Sequence, residues 1–456
     1  MNSHNKAHYT PFRISDAQRR PPFPFITAHE VGVMNEKRCN NAHITGNIIE
    51  KREGWIVLQV YGAPYQRGYA HGRLLKNEIH RTKKVFQFLV KHDITTSLSK
   101  YMQVVRTRIM PRIQRHFHEF YDEMRGIANG AKVPFDFIVA WNSYLSLYDY
   151  FLQNDKGNVL KCSAFIATGN ATKHGDIVMA HTTHTNYADG QISNIVLYVS
   201  PINGNSFVMQ TQPGLIASGS DWFLCSTGII GCETTIAATK YTTKLKDLYF
   251  CRIRNAMQYA THLDEYETML TANNGGDYAS SWLLGDINTG EIMLLEIGQK
   301  TNNVERTKNG AFHGMNAPIG PNLSEFANTT EINDIETSSG ARHKRFQELL
   351  HDKYNNKIDI ENAKAIITDT YDVLSKEEGN PTKRTIYNYA GNMYGSIDAK
   401  VVNTEIASNL AFWGKFGTPQ SQTFSIKKYI EKNPENKEWA TVVDDFPKYN
   451  WTQIQR

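Results

Sequence analysis

The chain has 456 residues and a net charge of +5 at neutral pH, with 40% hydrophobic and 21% charged residues. This composition is typical of a globular protein with a sizeable core, and the length suits either two or three domains or one large enzyme. The positive charge is spread along the chain without a block of like charges, which argues against a nucleic-acid-binding face. Weak attraction to an anionic lipid surface stays open, although no sequence feature indicates it.

The cysteine count argues against a structural metal site. The five cysteines are an odd number without a Cys-x-x-Cys pair, namely Cys39, Cys162, Cys225, Cys232 and Cys251. This pattern predicts neither a zinc site nor a fully paired disulfide framework, and it fits a reducing compartment or one or two incidental disulfides. We therefore expect no metal ion and no cofactor.

The sequence shows no recognisable export or membrane signal. Residues 1–24 are polar and carry three arginines without an apolar run, which is unlike a secretory signal. The most apolar stretch, Phe135–Leu152, is interrupted by polar residues and does not predict a membrane span. We expect a soluble protein, cytoplasmic by default; the oligomeric state is not predicted.

The first third of the chain is predicted to be mainly helical. Residues 1–50 are rich in polar residues and predict an irregular arm, whereas the alternation in Trp55–Tyr61 predicts a strand. Helical spacing begins at Pro64, where apolar residues fall on one face at Leu75, Ile79, Phe86 and Leu89. Further helices are predicted to about Ala131 and over Pro134–Tyr148, followed by a polar loop at 153–161.

After the loop the chain becomes rich in strands. Seven short β-type runs are predicted, at Ser163–Thr168, Asp176–His181, Asn194–Val199, Ser206–Gln210, Gly228–Thr235, Trp282–Leu284 and Glu291–Ile297. Helices return at Leu245–Ala260, Leu263–Thr271, Ala341–His351 and Ile360–Thr370. Helices, then strands, then helices predict an α+β fold rather than alternating βαβ units. We expect one structural domain, made of a helical segment at 51–161 and the remainder at 162–456.

Cys162 is the candidate nucleophile because it lies where the polar loop meets a β run. A lone thiol there also fits a small buried hydrophobic residue. If the Lys161–Cys162 bond were broken, however, Cys162 would gain a free α-amine, whose usual pKa of about 7.7–8.0 suits a base near neutrality. That amine can deprotonate the thiol and later protonate a leaving group.

The residues from Cys162 to His181, CSAFIATGNATKHGDIVMAH, resemble the start of the nucleophile chain in phospholipase B-like proteins. They also resemble the related acyl-coenzyme A:6-aminopenicillanic-acid acyltransferase-type autoproteolytic hydrolases. Other blocks match in the same order: Gly62–Gly68 with His71-Gly72, Arg125–Ala128 with Trp141-Asn142, Asp221–Gly228 with Glu233–Thr235, Ser281–Asp286 with Leu295-Glu296, and Ser338–Arg342 with Ala411–Gly414. The resemblance spans roughly Gly54 to Pro447.

This resemblance implies the four-layer αββα fold of N-terminal-nucleophile hydrolases, with the nucleophile at the end of a central strand. It implies that the Cys162 thiol attacks the chain before itself and releases the preceding segment, which stays packed on the rest. It also implies an acyl ester or amide substrate with acyl chains of lipid type. The oxyanion formed in each step needs hydrogen-bond donors.

Three positions depart from the family pattern. The family has Asn, an oxyanion donor, at the position of Ser280; Asn at the position of Cys225; and Trp at the position of His184. A serine hydroxyl has a shorter reach, and loss of such a donor typically costs about a hundred- to a thousandfold in rate. The departures bear on efficiency, on substrate choice and on activity itself.

Two histidines follow the nucleophile. His181 matches a family histidine and either orients the α-amine or forms a hydrogen bond within the core. His184 is expected to line the pocket or lie at the surface. The run His181-Thr-Thr-His184 lacks the Glu and the helical i, i+4 spacing of a zinc protease.

Further pocket residues are predicted at Trp141, Asn142, Trp222 and Cys225. The aromatic helix face that begins at Trp141 suits either the core or the wall of an acyl pocket.

The block around Arg67 and Gly68 has a structural interpretation. Its glycines are expected to allow close helix packing, and Arg67 is expected to pair with a buried carboxylate.

Two functions of different class remain. The first is an autoproteolysed acyl hydrolase or acyltransferase acting on a small-molecule or lipid acyl substrate. The second is a catalytically impaired binding protein on the same fold, because Ser280 and Cys225 replace Asn-type positions. A lipase-type serine enzyme is disfavoured because no Gly-x-Ser-x-Gly occurs, and a papain-type pair would need a histidine base and no chain break.

Overall fold

The computed structural model describes residues 44–152, 162–236, 243–321, 323, 331–391, 393–419 and 423–456. The predicted cleavage residue Lys161 and most of the predicted N-terminal arm lie outside these residues. The described chain is a mixed α/β structure with two β-sheets. Neighbouring strands are antiparallel except for β2 and β5, which are parallel. The N-terminal helices lie between these two strands along the chain.

The larger sheet has nine strands in the order β1-β2-β5-β6-β7-β8-β9-β10-β11. Their bounds are β1 Gly46–Arg52, β2 Trp55–Gly62, β5 Ile195–Pro201, β6 Phe207–Thr211, β7 Trp222–Cys225, β8 Ile229–Thr235, β9 Ser280–Asp286, β10 Glu291–Ile297 and β11 Asn302–Thr307. Its central strands are buried on both faces, as expected for a sheet covered on both sides.

The second sheet has eight strands and carries Cys162. Its main path runs β12-β3-β4-β15-β16-β17, and β14 pairs with both β4 and β13. The bounds are β3 Cys162–Gly169, β4 Gly175–Asn186, β12 Gly310–Gly314, β13 Tyr389–Gly391, β14 Tyr394–Ser396, β15 Asp398–Asn403, β16 Phe412–Phe416 and β17 Thr452–Ile454.

Fourteen α-helices occur in the described residues. They are α1 Pro64–Leu74, α2 Lys76–His92, α3 Leu98–Val104, α4 Met110–His116, α5 His118–Ala131, α6 Phe135–Asn142, α7 Tyr144–Phe151, α8 Tyr187–Gly190, α9 Tyr249–Tyr259, α10 Leu263–Thr271, α11 Ser338–Gln347, α12 Ile360–Ile367, α13 Thr404–Ala407 and α14 Ile426–Lys432. Two π-helical turns, Val105–Ile109 and Glu348–Lys353, and two 3₁₀ turns, Glu331–Asn333 and Pro434–Thr441, complete the helical structure. None of the helices in this part of the chain has the length and apolar character to cross a bilayer.

The two sheets contact each other mainly through β3, which lies against β8, β9 and β10; β12 also contacts β9, and β4 contacts β8. Helices α9 and α10 contact strands of the larger sheet, and helices α11 and α12 contact strands of the second sheet. The apolar layer between the sheets includes Ala164 and Ile166 of β3, both fully buried, and a Cβ on Gly285 of β9 would lie 2.9 Å from Ile166 Cδ1. Cys162 therefore begins a strand whose inner face packs on the other sheet.

The predicted glycine packing and the Arg67 ion pair are both confirmed. Helices α1 and α5 cross so closely that a Cβ on Gly68 would lie 2.0 Å from the carbonyl oxygen of Glu123. Arg67 is buried and forms an ion pair of 2.7 Å with Glu123. The same carboxylate also pairs with the buried Arg254 of α9, which ties the N-terminal helices to the layer over the larger sheet.

The structure differs from the predicted elements at several points. Residues 46–50, expected in an irregular arm, belong to β1. The helix predicted over Pro134–Tyr148 is two helices that meet at Ser143. There Ser143 Oγ donates to Val139 O at 2.7 Å and Asn142 Nδ2 donates to Ile138 O at 2.9 Å. Such bonds from side chain to backbone compete with a continuous helix.

Candidate active site

Cys162 is the first residue of β3, where it lies opposite Thr183 of β4. The other neighbour of β3 is β12, which pairs with it from Ala164 onward. Because β3 lies between two strands, the backbone at Cys162 is held by the sheet. The Cys162 side chain is buried and contributes to the wall of a cavity.

Two polar side chains hold the Cys162 main chain in place. Its N–H donates to Asn316 Oδ1 at 3.4 Å, and its carbonyl oxygen accepts from Arg342 Nη1 at 2.7 Å. Arg342 Nη2 donates in turn to Asn316 Oδ1 at 2.9 Å and to Met315 O at 2.8 Å. Arg342 lies on α11, so a residue 180 positions along the chain is fixed against Cys162.

Arg342 is a cation in a nearly solvent-free position. Burial lowers the pKa of its guanidinium to about 10, which still leaves it charged near neutrality, and the charge of a Cys162 thiolate opposes that shift. Among the described residues no carboxylate forms an ion pair with Arg342. Its hydrogen bonds go to carbonyl, amide and hydroxyl oxygens. Its charge is therefore available to stabilise negative charge that develops at Cys162.

The surroundings of Cys162 strongly disfavour the ionisation of its thiol. Burial raises the pKa of Cys162 well above its usual range, and the charges of Asp221 and Glu233 add to that rise. The His184 backbone N–H, which donates to the sulfur, and the Lys400 ammonium act in the opposite direction. A base is therefore needed before Cys162 can act as a nucleophile.

The two acidic residues near the thiol belong to a hydroxyl-rich network. Tyr249 OH donates to Asp221 Oδ1 at 2.8 Å, and Tyr278 OH donates to Glu233 Oε2 at 3.2 Å. The Tyr278 hydroxyl also contacts the hydroxyl of Thr235. Each carboxylate thus accepts a hydrogen bond from a tyrosine hydroxyl, and Asp221 also lines the cavity.

A buried ion pair lies on β15, which pairs with β4 on the side away from β3. Lys400 Nζ and Asp398 Oδ1 are 3.0 Å apart, and both side chains are fully buried. Lys400 also donates to Thr183 Oγ1 at 2.8 Å, and the Thr183 N–H donates to Asp398 Oδ1 at 2.8 Å. Thr183 is the cross-strand partner of Cys162, so the pair fixes the position of the strand beside the nucleophile.

The cavity beside Cys162 has a volume of about 420 Å³. Its wall combines aromatic, hydroxyl and acidic groups, and includes Asp93, Tyr144, Tyr148, Cys162, Thr183, His184, Asp189, Asp221, Tyr278, Tyr394 and Trp439. A smaller, more apolar cavity of about 40 Å³ shares Tyr144, Leu145, Asp189 and Gly219 with it. The two cavities are therefore adjacent.

The two predicted histidines occupy different places. His181 is fully buried between the sheets, where its Nε2–H donates to Glu233 O at 2.9 Å; it is not among the residues that line the cavity. His184 lines the cavity, and its Nε2–H donates to Ile386 O at 3.1 Å. Burial lowers the pKa of both rings well below the usual range. Both are therefore neutral near pH 7.

Three other predicted site residues, Ser280, Cys225 and Trp222, do not line the cavity beside Cys162. Ser280 opens β9 opposite Thr235 and does not line the cavity. Cys225 donates its S–H to Met257 O at 3.4 Å beneath α9, and burial raises its pKa to about 12. Trp222 packs on Phe412 with ring centres 5.6 Å apart. These three side chains are buried, and any part in catalysis stays a prediction.

Trp141 and Asn142 lie at the smaller cavity. Asn142 Nδ2 donates to Gly214 O, and its Oδ1 accepts from the Ile216 N–H, each at 2.9 Å. Asn142 thus fixes the 213–221 turn that ends at Asp221. Trp141 packs beside Tyr144, with ring centres 5.7 Å apart.

Sequence reasoning assigned no role to four residues that the structure places around Cys162: Asn316, Arg342, Asp398 and Lys400. Arg342 belongs to a matched block, so a conspicuous signal was present. Lys400 was recognisable as a lone cation in the apolar run Ile397–Val402. Asn316 has a positive φ of 76°, which the sequence does not indicate. The described residues contain no group of three or more His, Cys, Asp or Glu arranged to hold a metal ion.

Comparisons with known proteins give limited similarity. No family model matches the chain. An uncharacterised protein of Archaeoglobus fulgidus is 26% identical over 251 residues, which is 51% of this chain and 41% of that protein. The match thus spans less than half of that relative's length.

Among solved structures, two forms of the conjugated bile acid hydrolase of Clostridium perfringens are similar. A mutant form has 9% identity and a TM-score of 0.32, covering 56% of this chain and 89% of that one. A second variant has 9% identity and a TM-score of 0.27, covering 57% and 82%. TM-scores of this size do not establish a common fold.

Proposed function

We propose that this chain is a self-processing cysteine acyl hydrolase or acyltransferase on the four-layer αββα fold of N-terminal-nucleophile hydrolases. The observation that supports it most is the setting of Cys162. Cys162 lines a cavity at the first position of β3, and Asn316 and Arg342 hold its main chain. A nucleophile that must also become a chain terminus requires this kind of anchoring.

In the first step the Cys162 Sγ attacks the carbonyl carbon of Lys161. The C–N bond of the peptide breaks as the C–S bond of a thioester forms, and the nitrogen takes up the thiol proton to become the free α-amine of Cys162. One water molecule then hydrolyses the thioester and releases the Lys161 carboxylate. The buried guanidinium of Arg342, which donates to the Cys162 carbonyl oxygen at 2.7 Å, is the proposed electrostatic stabiliser of the oxyanion.

In the catalytic cycle the α-amine takes the thiol proton and Sγ attacks an acyl carbonyl. The leaving amine or alcohol departs with that proton, and the acyl group remains as a thioester on Cys162. Water, or another acceptor in a transferase, resolves the thioester and restores the thiol. An amine base offsets the unfavourable ionisation that burial imposes on this thiol.

The acyl group is assigned to the smaller cavity. Its wall includes Trp141, Leu215, Ala217 and Phe250, which suit an apolar chain. An acyl chain of lipid type is part of the proposal because the sequence resemblance implies it. Ester and amide substrates share this chemistry, and both are included.

The test compares the intact mass and the N-terminal sequence of the purified wild-type protein with those of Cys162→Ala. We expect two fragments from the wild type, the larger beginning at Cys162, and one uncut chain from the variant. Cys225→Ala is the matched control, since it removes another buried thiol that does not line the cavity. It is expected to be cut like the wild type.

Two results would overturn the proposal. A wild-type chain that stays whole would refute self-processing and favour the binding protein without catalysis. Cleavage at the same bond in Cys162→Ala would show that another nucleophile, or a contaminating protease, makes the cut.

A further inference from the structure

Glu296 is a buried carboxylate to which the proposed mechanism gives no role. It belongs to one of the blocks of the sequence resemblance, lies near the end of β10 and is fully buried. Its cross-strand partners are Ser281 of β9 and Asn303 of β11. Directly opposite residues share a face of the sheet, and Gly285, on the same face as Ser281, lies against Ile166 of the second sheet. Glu296 therefore faces the layer between the two sheets.

Four hydrogen-bond donors converge on this carboxylate. The Ile319 N–H donates to Oε1 and the Gly320 N–H donates to Oε2, each at 2.7 Å. Ser281 Oγ donates to Oε1 at 3.3 Å, and Asn303 Nδ2 donates to Oε2 at 3.4 Å. Short bonds to an ionised acceptor are the stronger ones. The carboxylate therefore holds the main chain at positions 319 and 320.

The main chain that Glu296 holds belongs to the segment that positions Cys162. We call residues 315–320 the Asn316 segment. Near its start, Arg342 donates to Asn316 Oδ1, which also accepts the Cys162 N–H. Asn316 has a φ of 76°, a conformation that non-glycine residues rarely adopt and that surrounding contacts must maintain. The contacts at both ends of the segment therefore determine where the Asn316 side chain lies.

The approach of the Asn316 segment to the carboxylate requires a glycine. A Cβ on Gly320 would lie 2.2 Å from Asn303 Nδ2 and 2.7 Å from Glu296 Oε2. Only a residue without a side chain lets the backbone come this close. A larger residue at position 320 is therefore expected to move the segment away from Glu296.

The charge state of Glu296 determines how many of these bonds it can accept. An ionised carboxylate accepts at both oxygens, whereas protonation turns one oxygen into a donor. Because each oxygen accepts a main-chain N–H, a proton on either oxygen weakens the hold on the segment. Burial raises the pKa of Glu296 above its ordinary range, and the hydrogen bonds from the Ile319 and Gly320 N–H groups act in the opposite direction. The hold is therefore lost at a higher pH than for an exposed glutamate.

Other titratable groups lie on the elements packed against β10. They are Asp286 of β9, Glu305 and Arg306 of β11, Lys300 in the turn between β10 and β11, Cys162 of β3, and Asp264, Glu265, Tyr266 and Glu267 of α10. Among these, Glu305 is linked most directly to Glu296, because Asn303 Nδ2 also donates to Glu305 Oε1 at 3.2 Å. Glu305 is exposed and provides a control for the titration.

We propose that Glu296 is a positioning residue for Cys162: its ionised carboxylate fixes the Asn316 segment, and protonation releases the segment and lowers the rate of acyl transfer. The effect on the rate rests on the proposed function, whereas the hold on the segment does not. A raised pKa means that the folded chain binds this proton more tightly than the unfolded chain, so protonation of Glu296 does not itself destabilise the fold. The expected response to acid is a local change.

The first test measures the hold on the segment without turnover. Hydrogen exchange of the purified wild-type protein is resolved to single amides and corrected for the intrinsic effect of pH. Between neutrality and about pH 4.3, the ordinary pKa of a glutamate, we expect the protection of the Ile319 and Gly320 amides to fall at least about tenfold. The amides of β10 should remain protected. Unchanged protection of the two amides over this range would overturn the proposal.

Variants assign the effect to Glu296. In Glu296→Gln the Ile319 and Gly320 amides are expected to exchange rapidly at every pH, because a glutamine offers one acceptor oxygen instead of two. Gly320→Ala is expected to behave in the same way, and it serves as a second variant if Glu296→Gln does not fold. Glu305→Gln, the same substitution on the neighbouring strand, should match the wild type. Wild-type protection in either folded Glu296→Gln or folded Gly320→Ala would contradict the assignment.

The second test measures turnover of N-hexanoyl-4-nitroaniline as a function of pH. The α-amine of Cys162 must lose one proton in every variant, and Glu296 adds a second proton in the wild type alone. On the acidic side, the slope of log kcat/KM against pH should approach two for the wild type and for Glu305→Gln, and one for Glu296→Gln. A merely structural role would lower the rate without changing this slope.

Equal slopes for the wild type and a folded Glu296→Gln protein would overturn the effect on catalysis. If no chain is cut and no anilide is hydrolysed, the proposed function fails. Hydrogen exchange then still decides whether Glu296 holds the Asn316 segment, so the two failures are distinguishable.

Discussion

At the scale of single residues, Arg342 is the group that most clearly links the fold to the proposed chemistry. Its side chain is fully buried. Its two terminal nitrogens donate hydrogen bonds to the Cys162 carbonyl oxygen and to Asn316 Oδ1 at the same time. Only a planar guanidinium has donors spaced for several fixed acceptors at once. A lysine ammonium would keep the charge and lose that geometry.

We therefore predict that Arg342→Lys slows self-cleavage and turnover by about a hundred- to a thousandfold, the range found when a preorganised donor is lost. The measurement is the rate at which the uncut chain disappears, with circular dichroism to verify folding. Arg345→Lys is the matched control because it lies on the same helix and pairs with Asp369 away from Cys162. A folded Arg342→Lys protein that cleaves at the wild-type rate would exclude this role.

How far the sequence predicts the site depends on the type of residue. The role of Cys162 could be predicted because its place after a polar loop and before a β run is a local property of the sequence. Asn316, Lys400 and Asp398 were not, because their importance arises from strand pairing between distant segments. The role of Ser280 stays a prediction: its sequence position suggested an oxyanion donor, and the residue does not line the cavity in the structure.

At the scale of elements, helix α1 is fixed by a buried histidine as well as by its glycines. His71 Nε2 accepts the N–H of Gly214 at 3.0 Å, and so anchors the turn that leads to Asp221. Burial lowers the pKa of His71 to about 4, and the charge of Arg254 acts in the same direction. The native structure therefore requires the neutral ring.

This shift predicts how stability depends on pH. Because the unfolded chain binds the His71 proton near pH 6.5 and the folded chain only near pH 4, the contribution of His71 is complete above pH 6.5. It decreases as the pH falls from 6.5 to 4, by up to about 3 kcal/mol. Urea unfolding across this range is expected to show a steeper loss for the wild type than for His71→Gln, which cannot titrate.

The exposed His118 provides the control for that experiment. His118→Gln is expected to follow the wild-type pH profile. Parallel profiles for the wild type and His71→Gln would show that His71 does not carry the effect, since other buried histidines titrate equally in both proteins.

Most long elements were predictable and most short ones were not. The spacing of Leu75, Ile79, Phe86 and Leu89 predicted one buried face correctly, because packing and helical period agree there. Strands β1 and β11 to β17 were missed, and β7 was not among the seven predicted β runs although it lies in the matched block Asp221–Gly228. Many of these have only three to six residues, too few for a recognisable period, and their pairing partners lie far away in sequence.

At the scale of the whole molecule, the proposed cut at Cys162 divides one continuous structure. Strand β2 precedes the cut and pairs in parallel with β5, which follows it, from Ile56–Ile195 to Gly62–Pro201. The buried pair of Glu123 and Arg254 also joins the two sides. Separating the fragments would expose a strand edge and would leave the buried Arg254 without its carboxylate partner, while Glu123 would keep Arg67.

We predict that the two fragments of the processed protein remain together. Size-exclusion chromatography in native buffer should give one peak that contains both, at the volume of the uncut Cys162→Ala chain, and should resolve them only in denaturant. Fragments that separate in native buffer would show that the N-terminal segment is released as a free product.

Because the site is assembled from distant parts of the chain, the timing of its activation depends on folding. Positions 93, 221 and 394 line the cavity beside Cys162, and positions 316 and 342 bind its main chain. Under the proposed mechanism the α-amine base forms only after these parts have assembled around the bond to be cut. A nascent, truncated or misfolded copy then lacks the α-amine base and has an unactivated thiol. Activation of Cys162 is therefore restricted to chains that have folded.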